Sequence, residues 1–392
     1  MFKVNRARLR LGTVTVAALA IAGIAAATPS IADPGAPAAQ DQTNAELVGI
    51  KDPVLRDCVS KALGGQPAST LTTLYCPSAE NYVVKDLTGI SVLKNLTKLS
   101  MWSGRRQNEF TDLSPLTGLG KLTILYLGHG SNSDVSPLSG LTNLTELSLD
   151  SNNINDIKPL SGLKNLTTLN LGRNTISNLQ PLSGLTNLTT LNLNDNTISD
   201  LQPLSRLVNL TNLDLDMNTI SNLQPLSRLT NLTYLGLLGN KVSNLQPIPR
   251  LTNLTNLEIG SNNISDISQL SKLTKLNTIS LTANKITNVS PLAKLAATQD
   301  ENLLMGVWNQ KATGSPAVAG KATPIVLKDF QGKTITDLAF SGPGTPTVNQ
   351  TTGTVTYPVA GTYTVTWNIL FGTRSGFYGT LTQQVNNPQP RR

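Results

Sequence analysis

Three observations predict an α/β solenoid of stacked coils with its parallel sheet on the concave face. Asparagine recurs every 22 residues without a slip, at Asn152, Asn174, Asn196, Asn218, Asn240, Asn262 and Asn284. Within one period the apolar residues run Ile154, Ile157, Leu160, Leu163, Leu166 and Leu169 three apart, and then Leu171 two apart. Proline recurs in register at Pro159, Pro181, Pro203, Pro225, Pro247 and Pro291. A spacing of three suits tight 3₁₀-like turns and a spacing of two suits a strand, whereas an amphipathic α-helix needs 3.6. The prolines would break any helix begun before them. This is the pattern of a 22-residue leucine-rich repeat, each coil adding one short strand to the sheet.

The asparagine belongs where the chain leaves the strand. Its amide donates and accepts, so one side chain can satisfy turn groups of its own coil and of the next. Surface asparagines in loops would not stay in register through seven copies.

Taken in order, residues 1–32 read as a signal peptide. Lys3, Arg6, Arg8 and Arg10 precede an apolar run from Leu11 to Ala27, and small residues favour cleavage after Ala32, with Ala27 as the second site. The Gly- and Thr-interrupted run is weakly apolar for a retained anchor. Residues 33–45 are rich in Pro and Ala and read as a disordered spacer. A helical cap is predicted over 46–70, with Asp52 as N-cap, Pro53 in the first turn and Gly64-Gly65 as the stop. Such a lid would cover the solenoid's otherwise open end. Cys58 and Cys76 are the only cysteines; an even count in an exported chain favours a disulfide over two buried thiols.

The repeats are predicted over 71–295. About four extra residues between Met101 and Phe110, within the stretch Trp102 to Asn108, and Gly130 in place of the asparagine mark irregular early repeats. The insertion is either terminal irregularity or a contact loop. From 296 to 386 the composition turns to alternating Thr, Val, Gly and aromatic residues, as in Gly361-Thr-Tyr-Thr-Val-Thr-Trp367, which predicts a small antiparallel β-sandwich. Residues 387–392 form a polar tail.

The formal charge is +8, but four cations fall in residues 1–32, leaving 27 basic against 23 acidic residues beyond them. That modest excess removes most support for nucleic-acid binding. Catalysis has little support either, since the single histidine, His129, has no nucleophile motif nearby. Asp214-Leu-Asp216-Met-Asn218 resembles a calcium loop only in outline and lacks the downstream Gly and bidentate Glu. No enzyme activity, metal or cofactor is expected.

The cap, the repeats of form Leu-x-x-Leu-x-Leu-x-x-Asn-x-Ile-x-Asp-Ile-x-Pro-Leu and the C-terminal β segment together resemble the bacterial internalin family over roughly residues 45–386. The resemblance implies an Ig-like C-terminal module, with Gly379-Thr-Leu-Thr-Gln-Gln-Val385 as its second matching segment. It also implies a secreted or surface protein that engages protein partners with the concave sheet. The sequence carries neither a wall-sorting signal nor wall-binding repeats, so the secreted, unanchored type is the match.

The repeat frame places Lys98, Trp102, Tyr126, His129, Glu146, Asp150, Arg173, Asp195, Asp214, Asp216, Met217, Tyr234, Leu238 and Glu258 on the concave face. Six acids against two cations favour a basic protein partner. Trp102, Tyr126 and Tyr234 are the candidate anchors, few for such a face, and solvated strand residues are the bland alternative. On the convex side Gly118, Gly140, Gly162 and Gly184 give way in one frame position to Arg206, Arg228, Arg250, Lys272 and Lys294. This column suggests either contact with an anionic cell-wall polymer or a solvated face. Seven Asn-Leu-Thr sequons, Asn95 through Asn253, are by-products of the repeat. A monomer is expected, secreted and at most loosely wall-associated.

Overall fold

A computed structural model describes residues 46–76, 83–101, 108–297, 304–371 and 375–389. The predicted signal peptide, the spacer and Trp102 lie outside them. Asp52 caps helix α1 (Pro53–Leu63), accepting from the Val54 and Leu55 N–H groups at 2.8 and 2.9 Å, and Gly64 ends it at φ 55°. The other oxygen of Asp52 accepts from Lys85 N–H at 2.7 Å, so one carboxylate both caps the helix and ties it to the first repeat. Cys58 and Cys76 are bridged, with Cα atoms 5.8 Å apart, fastening α1 to the first coil.

Ten short strands follow: β1 (Thr73–Tyr75), β2 (Lys98–Ser100), β3 (Ile124–Tyr126), β4 (Glu146–Ser148), β5 (Thr168–Asn170), β6 (Thr190–Asn192), β7 (Asn212–Asp214), β8 (Tyr234–Gly236), β9 (Asn256–Glu258) and β10 (Thr278–Ser280). Each pairs in parallel with the next, and the central residues Leu147, Leu169, Leu191 and Leu213 stack without a register shift. Those central side chains are buried, as are the apolar residues at spacing three on the opposite side of each coil. That opposite side is built of 3₁₀ turns such as Gln180–Leu182 and Gln202–Arg206, each opening with its in-register proline in the first turn. The residue two before the turn caps it: Asp156 accepts from Lys158 N–H at 2.8 Å and Asn178 from Gln180 N–H at 3.0 Å.

The asparagine column is a hydrogen-bonded ladder. Asn174 donates to the carbonyls of Leu171 in its own coil and Leu149 in the preceding one, both at 3.0 Å, and accepts from the preceding coil's Ile154 N–H at 3.0 Å. The same set recurs at Asn196, Asn218, Asn240, Asn262 and Asn284. The residue before each rung takes a positive φ, between 51° and 69° from Arg173 to Ser261. For a residue with a Cβ that conformation costs roughly 1–2 kcal/mol, which the rung's bonds offset.

The ladder extends past the seven rungs visible in the sequence. Asn108 is a rung displaced by the insertion, its side chain donating to the Met101 carbonyl. Where Gly130 replaces a rung, a Cβ would lie 2.7 Å from Asn132 Nδ2. The Asn132 amide lies in that space and donates to Asn152 Oδ1 at 3.0 Å, but it makes none of the rung's bonds to the strand carbonyls, and its own oxygen is buried without a partner among the described residues. Gln310 closes the series: it donates to the Leu281 and Trp308 carbonyls at 2.9 and 3.0 Å and accepts from Ile286 N–H at 3.0 Å.

Gln310 lies on β11 (Leu304–Thr313), which pairs in parallel with β10 from Thr278↔Leu304 onward. The coils therefore do not stop at the compositional change near residue 296, because one strand serves both units. Beyond it come β12 (Ala317–Val318), β13 (Ala322–Pro324), β14 (Ala339–Ser341), β15 (Thr347–Asn349), β16 (Thr354–Thr356), β17 (Gly361–Phe371) and β18 (Ser375–Asn386). The order β11-β18-β17-β14 continues the solenoid sheet, and β13-β16-β15 forms a second, antiparallel one. The sandwich is not purely antiparallel as expected, since β11 and β12 both run parallel to β18. Alternate residues Tyr363, Val365 and Trp367 of β17 are buried with Phe377, Val355 and Tyr357 to make this Ig-like region's core.

Asn196→Ala would leave Ile176 N–H and the Leu171, Leu193 and Asn194 carbonyls without their partner. We expect a loss of about 3 kcal/mol in equilibrium urea unfolding. Asn187→Ala removes one exposed bond to the Lys164 carbonyl and should cost below about 1 kcal/mol. Equal losses would contradict the ladder's role.

Candidate binding surfaces

In each strand the central residue points inward, so the first and third residues and the one two positions further point outward. The parallel register turns these positions into three columns across the sheet. The first includes Glu146, Thr168, Thr190, Asn212, Tyr234 and Asn256; the second includes Tyr126, Ser148, Asn170, Asn192, Asp214, Gly236 and Glu258. The third, two residues beyond the second, includes Asp150, Asn194, Asp216 and Leu238.

The structure brings four of the predicted concave residues together. Asp214 and Asp216 lean over Gly236 from β7 and the turn after it, Tyr234 lies two residues before Gly236 on β8, and Glu258 pairs with Gly236 from β9. Asp214 is only 5% exposed and Tyr234 9%. Asp214 accepts from Asp216 N–H at 3.0 Å, and Asp216 accepts from Leu238 N–H at 2.7 Å. Burial, followed by the charge of Asp214, pushes the Asp216 carboxyl up to about 8. Burial raises Asp214 and Glu258 as well, and with the neighbouring charges it raises the Tyr234 phenol. Among the described residues no cation pairs with any of the three acids.

A second group lies nearer the N-terminal end. The Tyr126 hydroxyl donates to the Glu146 carboxylate, and burial with that bond raises its phenol. Ser148 donates to Asp150 at 2.8 Å, and His129 Nε2 lies 3.5 Å from the other Asp150 oxygen. Arg173, Asp195 and Met217 are exposed, but each occupies the positive-φ turn beyond its strand, so they edge the columns instead of lying within them. Their turn conformation follows from the ladder beside them.

On the opposite side Arg206, Arg228, Arg250, Lys272 and Lys294 are all exposed, the first four at the ends of successive 3₁₀ turns. Among the described residues none of them forms an ion pair. A shallow groove lined by Gln180, Ser183, Gln202, Pro203, Ser205 and Arg206 separates the turn that ends in Arg206 from the preceding turn, Gln180–Leu182. The sequon asparagines are occupied structurally: Asn143, Asn165, Asn187, Asn209, Asn231 and Asn253 each donate the side-chain nitrogen to a carbonyl of the preceding coil. An N-glycan would have to replace those bonds.

Trp308 was absent from the sequence-based candidates because four extra residues shift the frame before β11. It follows Leu304 and Gly306, the partners of Thr278 and Ser280, at spacing two on the same outward side, with its indole over Gly376. The buried Met305 and Val307 that alternate with it carry the signal that could have found it. No helix among the described residues is long and apolar enough to cross a membrane, and no group of three or more His, Cys, Asp or Glu is placed to hold a metal ion.

A leucine-rich-repeat family model matches residues 142–184, 164–206, 186–228 and 252–294. An internalin from Listeria monocytogenes is similar in structure, at 30% identity and TM-score 0.55, over 67% of this chain and 84% of that one. Internalin C2 from the same organism is 30% identical over 60% of this chain and 96% of its own, at TM-score 0.47. A leucine-rich-repeat protein from Leptospira interrogans is 25% identical over 62% of this chain and 66% of its own, at TM-score 0.50. No curated protein matches the sequence.

The raised Asp216 carboxyl makes a signed prediction. Its charged form is disfavoured in the fold, so its penalty on stability is absent below the unfolded value near pH 4 and grows as pH rises toward about 8. Asp216→Asn keeps the acceptor for Leu238 N–H and should stabilise the protein at pH 8 by up to about 5 kcal/mol, with little gain at pH 4. Thermal melts at both pH values test this; a gain of equal size at pH 4 would refute it.

Proposed function

Because the chain belongs to the internalin family, we propose that it is an exported, non-catalytic protein that binds a protein partner on the concave face of its solenoid. The observation that carries this is the outward cluster of Asp214, Asp216 and Glu258, the first a buried and the other two half-buried carboxyl groups with no cation of the described chain beside them. Maintaining such a cluster costs stability, and a basic partner would relieve it. Half-buried Tyr126 offers aromatic surface on the same columns, Tyr234 packs beside the acids, and Trp102 is the candidate anchor from the insertion. The reading requires secretion by the N-terminal segment and assigns no catalytic residue or cofactor.

The test is capture of secreted or surface proteins by the full chain and by a Trp102→Ala, Tyr126→Ala, Tyr234→Ala variant, with melts to establish that the variant is folded. Loss of a specific protein with the variant is the expected result. Equal recovery with both would sink the concave-face assignment.

A second reading rests on the five convex cations, which form no ion pair among the described residues. Arg206, Arg228, Arg250, Lys272 and Lys294 stand about 5 Å apart from coil to coil, so they repel one another unless an anion shares the surface. In this reading they hold the protein loosely to an anionic cell-wall polymer. Retention on purified walls should then fall steeply between about 0.05 and 0.5 M salt and vanish when the arginines become glutamates. Retention indifferent to both changes would exclude it.

A further inference from the structure

We propose that the convex groove between the 3₁₀ turns Gln180–Leu182 and Gln202–Arg206 binds one unit of a polyhydroxylated polymer, a unit that carries a phosphate or a carboxylate. This rests on the reading of the convex cations as contacts for an anionic wall polymer, and it names the unit recognised there. The groove encloses about 290 Å³, at the small end of ligand sites, which start near about 300 Å³. Gln180 and Gln202 hold equivalent places at one end of the two turns, and Ser183 and Ser205 line the groove further along. At the other end Arg206 closes its turn, and the equivalent residue of the preceding coil is Gly184. Lys164 occupies the space beside that glycine. A Cβ on Gly184 would lie 2.5 Å from Lys164 Nζ, which donates to the Gly184 carbonyl at 3.3 Å. The cation column thus begins one coil earlier than the sequence frame shows, and this end of the groove has a cation on each coil.

Two observations separate a site from a solvated face. The coil itself needs neither the glutamine nor the cation. Ser114-Pro-Leu-Thr-Gly118 and Ser136-Pro-Leu-Ser-Gly140 build the same proline-opened 3₁₀ turn with serine at one end and glycine at the other. The two additions also coincide along the chain. Glutamine opens four consecutive turns, at Gln180, Gln202, Gln224 and Gln246, and the same four close on the Lys164 ammonium, Arg206, Arg228 and Arg250. The glycine-closed turns at Gly118, Gly140 and Gly162 open with Ser114, Ser136 and Lys158 instead. An amide and a cation joined in turn after turn repeat one pair of contacts, as a repeating ligand requires.

The chemistry of the two ends selects the ligand. A guanidinium bonds a carboxylate or phosphate through two parallel N–H groups. A primary amide donates and accepts at once, which suits hydroxyl groups. The exposed Gln202 amide and Arg206 guanidinium form no hydrogen bond or ion pair among the described residues. Ser183 and Ser205 donate to the Gln180 and Gln202 carbonyls at 2.8 and 2.7 Å, so their oxygens keep lone pairs for hydroxyl donors. A bare anion would use only the cationic end and a neutral polyol only the amide end. The groove is matched by both groups on one molecule.

The test is an amide-detected NMR titration of the full chain with glycerol 3-phosphate, galacturonate, inorganic phosphate and glycerol. We expect glycerol 3-phosphate or galacturonate to shift the Ser183, Gly184 and Arg206 amides and to bind at least fivefold more tightly than inorganic phosphate or glycerol. Which of the two binds more tightly identifies the anion as phosphate or carboxylate. Gln180→Ser with Gln202→Ser, and separately Arg206→Gly, install the residues that the chain's own early coils carry, so the fold is kept. The glutamine pair should weaken binding at least fivefold at unchanged net charge, and Arg206→Gly at least tenfold. Equal binding of inorganic phosphate, or indifference to the glutamine exchange, would overturn the groove in favour of charge alone. If the titration fails while retention on walls stays salt-sensitive, the wall reading stands without this site; if retention is indifferent to salt as well, both fall.

Discussion

Each coil turns out of the sheet with backbone groups facing the interior, and buried amides must find partners. The ladder amide supplies them, reaching two carbonyls in its own coil and one carbonyl and one N–H in the coil before. Four bonds from one side chain make the coil and its neighbour interdependent. Much else in the structure follows: the left-handed residue before each rung, the short strand before it and the spacing-three run after it. The constraint falls on the amide group more than on the residue type. Gln310 meets it with a longer side chain.

Parallel register without slippage is the ladder's main consequence for function. A residue's place in the repeat becomes its place in a column, so one substitution per coil can write a surface. The concave columns are mostly Thr, Asn and Ser, and the acidic cluster stands out against them because Asp214 and Asp216 close over a glycine on the neighbouring strand. The convex side changes at a single frame position, from glycine in early coils to arginine and lysine in later ones. Acid on one face and base on the other let one chain present two opposite potentials.

The C-terminal β region draws on the same device. Its first strand is the eleventh strand of the solenoid sheet, and its terminal rung Gln310 sits on that strand. The open end of the stack is thus covered by a covalently continuous sheet, while the N-terminal end is closed by a helix tied down through Asp52 and the Cys58–Cys76 bridge. Both closures keep the leucine core from water.

The sequence by itself determined the period, the inward and outward positions, the cap helix bounds at Asp52 and Gly64, and the seven regular rungs. Those features arise from local spacing repeated often enough that chance cannot imitate it. Four things needed the tertiary structure. The insertion and the residues before β11 break the count, so Asn108, Gln310 and Trp308 could not be placed by frame. The union of solenoid and sandwich sheets depends on parallel pairing between distant segments, which alternation alone does not encode. The parallel partners of β18 were hidden for the same reason. The convergence of Asp214, Asp216, Tyr234 and Glu258 over Gly236 joins residues up to 44 positions apart. Periodicity assigns each of them a face, but only packing shows what closes over the glycine.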